Sequence, residues 1–251
     1  MLVNDYCTEL KLPYLRENHE VLIQEAIKTK QPYAEFLMQF LENEHLLRQQ
    51  TRTARRIREA RFPQKCHLAD FDKTVYDEKY HPQFAELETL DFIDQKKNLI
   101  LMGGTGAGKT FYASCLGLEA CMKGKTVLFL TIPDLIIRIR EHMSMSQIKM
   151  LEGRFQRYDL IILDEFGYFS FDPEVAEVFF AMWSMRHMKG STIVTTNLDF
   201  DEWVKPLNDA KIASALVGRL CEKSYVIELE REIDGRLQNT LDWRKGNSEL
   251  A

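Results

Sequence analysis

Residues 103–110 read Gly-Gly-Thr-Gly-Ala-Gly-Lys-Thr, small residues that run into a lysine with a hydroxyl beside it. The G-x-x-x-x-G-K-T spacing suits a phosphate chain. Gly103, Gly104, Thr105, Gly106, Ala107 and Gly108 leave backbone N–H groups accessible, Lys109 can neutralise β- and γ-phosphates, and the Thr110 hydroxyl can ligate Mg²⁺. Phe111 follows in the same turn and is counted with the binding residues. The apolar run at 98–102 reads as the strand that delivers Gly103 to a sheet edge, and Thr110 opens a helix whose amino terminus adds partial positive charge. A glycine-rich turn that binds nothing would not need strand, loop and helix in this order.

A second group of chemical residues lies at the end of another apolar run, YDLIILDEFG at 158–167. Asp164 would reach the same sheet edge and hold a metal's water shell. Glu165 is the more telling neighbour. A phosphate-transferring kinase has little use for a second acid here, whereas a hydrolase needs a carboxylate to orient and polarise the attacking water. Asn197 ends the run STIVTTN, where an amide can bond the γ-phosphate or the lytic water; asparagine after a strand is also a common turn residue.

These residues need a scaffold. NLILM (98–102), TVLFLT (126–131), DLIIL (159–163), STIVTT (191–196) and SYVIEL (224–229) are short runs rich in branched residues, separated by segments of helical period. Such strands are buried on both faces, which predicts an α/β fold: a five-stranded parallel sheet with helices on each side. Residues 1–62 are helical by period, with one helix over Tyr14–Ile27 and a longer one opened by Pro32 and stopped at Phe62-Pro63. The expected organisation is a small all-α domain over 1–62 and a P-loop domain over 63–251.

Charge is unevenly distributed. The chain carries −5, yet residues 48–65 hold six arginines and Lys65 against Glu59, about +6, which leaves about −11 elsewhere. Arg48, Arg52, Arg55 and Arg56 recur at helical spacing, flanked by Arg58 and Arg61, a row able to follow the phosphate backbone of a nucleic acid. The same run could be a solvated helix face. The five cysteines lack metal-ligand spacing, no stretch is apolar enough to cross a membrane, and no export signal opens the chain, so a cytoplasmic protein with no membrane partner is expected.

GGTGAGKT, LIILDEFG and VTTN in this order resemble the Walker A, Walker B and sensor-1 motifs of AAA+ ATPases. The resemblance implies ATP as the nucleotide, sheet order 5-1-4-3-2, and hydrolysis between neighbouring subunits, with Lys109, Thr110, Asp164, Glu165 and Asn197 matching the family's site residues. Arg219, in IASALVGRLCEKS, sits where that superfamily carries an arginine finger; an internal salt bridge to Glu222 is the other reading. The stretch after the last strand is shorter than the usual helical lid, and Arg231 and Arg236 within it are left unassigned.

The short ATPase domain behind an arginine-rich R-R-x-R-x-A-x-F-P element resembles the IstB family of insertion-sequence helper ATPases, with the DnaC and DnaI helicase loaders and the DnaA initiator as relatives that share an extra helical insertion, here TIPDLIIRIREHM. The resemblance implies ATP-dependent self-assembly on double-stranded DNA, DNA bending and recruitment of a cognate transposase. A helicase loader, gripping a helicase ring through the amino-terminal domain, is the alternative. A small-molecule kinase is disfavoured by Glu165.

Overall fold

The computed structural model describes residues 3–142 and 145–230; Arg231, Arg236 and the question of a lid lie outside the described residues. The chain forms two compact units that divide between Arg55 and Arg56. In the first are α1 (Val3–Glu9), α2 (Pro13–Thr29) and most of α3 (Tyr33–Ala60). Pro13 pre-sets the first turn of α2, and Lys30 ends it in the left-handed conformation, its N–H bonded to the carbonyls of Ala26 and Ile27. Helix α3 starts one residue after Pro32 and stops before Pro63.

Among the described residues of the first unit few side chains are buried: Cys7, Leu22 and Glu44. The Glu44 carboxylate accepts from the Tyr14 backbone N–H at 2.9 Å and pairs with Arg48 at 3.1 Å. The apolar stripe of α3 is largely open, with Leu37 55% and Leu41 49% exposed. Three helices enclose too little volume to cover it. The division falls inside α3, ahead of the boundary expected at Phe62, because the last turn of the helix packs within the second unit. Ala60 is fully buried there and Phe62 meets Phe129 edge-on at 6.3 Å.

The second unit continues through 3₁₀ turns at Leu68–Asp70, Lys73–Val75 and Glu78–Tyr80, then α4 (His81–Thr89) and α5 (Asp91–Asp94). There follow β1 (Asn98–Met102), α6 (Lys109–Met122), β2 (Val127–Thr131), α7 (Ile132–Glu141), α8 (Met145–Phe155) and β3 (Leu160–Phe166). The chain goes on with α9 (Pro173–Arg186), β4 (Ser191–Thr196), α10 (Val204–Leu207), α11 (Ala210–Cys221) and β5 (Ser224–Glu228). All five strands pair in parallel in the order β2-β3-β4-β1-β5, which is the 5-1-4-3-2 order implied by the AAA+ resemblance.

Alternate strand residues feed two cores, as a period of two requires. Ile100, Leu128, Ile161, Leu163 and Val194 pack with residues of α7, α9 and α11, while Leu99, Phe129, Leu160, Ile162 and Ile193 pack with residues of α4, α5 and α6. Because β4 lies between β1 and β3, its last residues stand between the P-loop and the acid pair. Among the described residues no helix is long and apolar enough to cross a membrane.

Candidate functional site

The loop after β1 depends on glycine at its two ends. Gly103 has φ +136°, and a Cβ there would lie 2.2 Å from the Leu229 carbonyl oxygen; Gly108 has φ +90°. Both conditions exclude other residues. Helix α6 begins at Lys109, immediately after the loop, so the positive end of its dipole lies at the loop. Lys109 is 9% exposed, and its ammonium donates to the carbonyls of Gly103 and Gly104, each at 2.7 Å. Phosphate oxygens, being charged, are stronger acceptors than these carbonyls for the same group.

The acid pair sits on a bulge. Leu163 pairs with Val194 and Phe166 with Thr196, so Asp164 and Glu165 together face Thr195. Glu165 takes φ +65°, which breaks the alternation that would send neighbouring side chains to opposite faces. Asp164 is buried and accepts from the Thr110 hydroxyl at 2.8 Å and from the Thr195 hydroxyl at 2.5 Å, both on Oδ1. The Glu165 N–H donates to Thr195 Oγ1 at 3.0 Å, and the exposed Glu165 lines a cavity. Thr110 and Asp164 present a hydroxyl and a carboxylate in contact across two elements, the hard oxygen donors that Mg²⁺ prefers.

That cavity, about 730 Å³, is lined by Thr105 to Phe111, Glu165, Tyr168, Thr195 and Thr196, and by residues of the 63–76 segment. Its size is that of a nucleotide-sized ligand site. Sequence reasoning missed several lining residues. Tyr76 and Phe71 come from a stretch without period, and Tyr168, whose hydroxyl is 3.2 Å from Thr105 Oγ1, follows the acids in a loop. Tyr168 was adjacent to a recognised motif and could have been suspected; Tyr76 carried no signal.

Asn197 lies one residue past β4, exposed and outside the cavity lining. Arg219 is on α11, where its guanidinium lies 4.8 Å from the Phe180 ring centroid and donates to the Ser184 hydroxyl of α9. Glu222, the partner considered from sequence, instead meets His187 at 3.0 Å. Among the basic residues, Arg48 is engaged with Glu44 and the Lys11 carbonyl, whereas Arg52, Arg55, Arg58 and Arg61 are exposed. Arg56 is half-buried, 4.0 Å from the Cβ position of Gly124 beyond α6. Arg138, which the sequence did not single out, lies within reach of the charges of both Arg61 and Arg154. Burial and then the charge of Arg61, with Arg154 adding to it, lower the pKa of Arg138 below the usual guanidinium value. The Asp134 carboxylate opposes this shift.

The parallel sheet, the phosphate loop and the strand-borne acid pair define the chain as a P-loop protein of the AAA+ class. Its fold is similar to those of DnaI (TM-score 0.55, 21% identity, 68% of this chain and 91% of that one) and of AMPPCP-bound DnaA from Aquifex aeolicus (TM-score 0.56, 18% identity, 74% and 56%). The chain belongs to the IstB-like ATP binding protein family, whose model matches residues 6–242. It is 33% identical over 228 residues to the insertion sequence IS21 putative ATP-binding protein of Pseudomonas aeruginosa, covering 90% of this chain and 85% of that protein. It is 30% identical over 230 residues to the IS5376 putative ATP-binding protein of Geobacillus stearothermophilus, covering 92% of each. The protein is thus an ATP-binding protein of the insertion-sequence type.

Proposed function

We propose that the protein hydrolyses ATP as a switch that assembles copies of itself on double-stranded target DNA and recruits a transposase, working in the bacterial cytoplasm and on the nucleoid when DNA-bound. The observation that carries this reading is the bulge that sets Asp164 against Thr110 and leaves Glu165 open to the cavity. Thr110 and Asp164 would hold Mg²⁺, whose charge offsets that of the phosphates. The loop N–H groups and Lys109 bind the β- and γ-phosphates, and Glu165 accepts the proton of the water that attacks the γ-phosphorus as the bond to the ADP oxygen breaks. Asn197, one residue past β4, is proposed as the polar group that reports the γ-phosphate to the sheet.

Arg219 is proposed to serve the neighbouring subunit's nucleotide, where a guanidinium stabilises charge developing in the transition state. That assigns hydrolysis to subunit interfaces. The arginine-rich end of α3 is proposed to follow a DNA phosphate backbone, which makes affinity fall steeply with salt.

Glu165→Gln tests the chemistry. The variant should bind ATP with unchanged affinity, hydrolyse it at least about 100-fold more slowly, and remain on duplex DNA after ATP is added. Normal turnover would remove Glu165 from the role assigned to it. Capture of a helicase ring with no duplex binding would replace transposition by helicase loading as the task of the switch.

A further inference from the structure

The loop that receives phosphates is braced by a cavity-lining residue of the aperiodic segment. Tyr76 is 5% exposed, and its hydroxyl donates to the Ala107 carbonyl at 2.6 Å. Its ring stacks on Phe71 at 5.2 Å, and Phe71 in turn stacks on Tyr112 of α6 at 4.4 Å. Phe84 of α4 closes the cluster edge-on to Tyr76 at 5.8 Å. The phenol is therefore held by α4 and α6 and has little freedom to leave the loop.

The consequence follows from peptide geometry. In a planar trans peptide the C=O and the next N–H point in opposite directions, and the described chain contains no cis bonds. Holding the Ala107 oxygen toward Tyr76 therefore aims the Gly108 N–H away from it. The carbonyl of Gly108 is fixed as well, by the Tyr112 N–H at 2.9 Å. Both peptide planes that flank Gly108 are thus set by an outside partner. The same contact adds a steric reason for glycine at this position: a Cβ on Gly108 would lie 2.4 Å from the Tyr76 hydroxyl.

We propose that Tyr76 is a positioning residue for the triphosphate, holding the Ala107–Gly108 peptide so that its N–H is presented to the phosphate chain before the nucleotide arrives. The inference rests on the ATP-binding reading of the loop. Without the hydroxyl the peptide is free to rotate, and its N–H must be oriented at the cost of binding free energy.

Tyr76→Phe keeps the ring and its stacking and removes only the brace. Titration of the full-length variant with ATP should give affinity weaker by about ten-fold, with kcat within about two-fold of the parent and the unfolding temperature of the nucleotide-free protein unchanged. Gly108→Ala alone should weaken ATP binding more severely, and adding Tyr76→Phe should recover part of that loss because the clash is with the hydroxyl. Unchanged ATP affinity in Tyr76→Phe, or a loss accompanied by an equal loss in Gly108→Ala with no recovery in the double variant, overturns the proposal. A parent protein that does not bind ATP would instead overturn the reading on which it rests.

Discussion

Thr195 donates its hydroxyl to the same Asp164 oxygen that accepts from Thr110, at 2.5 and 2.8 Å, and accepts the Glu165 N–H at 3.0 Å. One β4 side chain thereby fixes both acids of β3. Thr195→Val preserves shape but removes both bonds. It should lower kcat for ATP hydrolysis by about ten-fold, with a smaller change in ATP affinity and about 1–2 kcal/mol less stability. Steady-state kinetics beside nucleotide titration checks the split; a pure affinity loss would mean that Thr195 serves the phosphate and not the acids.

The part played by Thr195 marks where sequence reading stops. The strands were legible because residues such as Ile161, Ile162 and Leu163 must be buried on both sheet faces, and a continuous apolar run states that directly. The P-loop was legible because glycine spacing answers to backbone geometry. The bulge at Asp164 and Glu165 was not, since it depends on the register between β3 and β4, a relation between segments 30 residues apart. Tyr76 was hidden for the same reason, its partner Ala107 lying 31 positions away. The α3 stripe was legible as a helix, but not its exposure, because period reports a face and not what covers it.

Arg219 touches Ser184 and Phe180 within its own chain and is proposed to act on a neighbour's nucleotide. Arg219→Ala should bind ATP normally as a free subunit and lose about 10³-fold in hydrolysis when assembled. Mixing it with a Lys109→Ala variant should restore activity at mixed interfaces, where an intact pocket meets an intact arginine. No recovery on mixing, with both variants assembling, would confine Arg219 to its own subunit.

Arg186 is 2% exposed and donates to the carbonyls of Phe155 at 2.9 Å, Tyr158 at 2.7 Å, Asp159 at 3.3 Å and Ser191 at 2.7 Å, joining the end of α8 to the starts of β3 and β4. Burial lowers its pKa to about 10, which still leaves it charged at neutral pH. Arg186→Met should strip those carbonyls of their donor and cost about 3–5 kcal/mol in denaturant unfolding. A change below about 1 kcal/mol would show that water replaces the guanidinium at little expense.

The central claim is that a bound γ-phosphate governs assembly on DNA. Electron microscopy of the purified protein with duplex DNA tests it most directly, with a non-hydrolysable ATP analogue, with ADP and without nucleotide. The account predicts ordered multi-subunit complexes on DNA with the analogue, and dispersed protein in the other two conditions. Equal coating of DNA without nucleotide, or single subunits at saturating analogue, would contradict it.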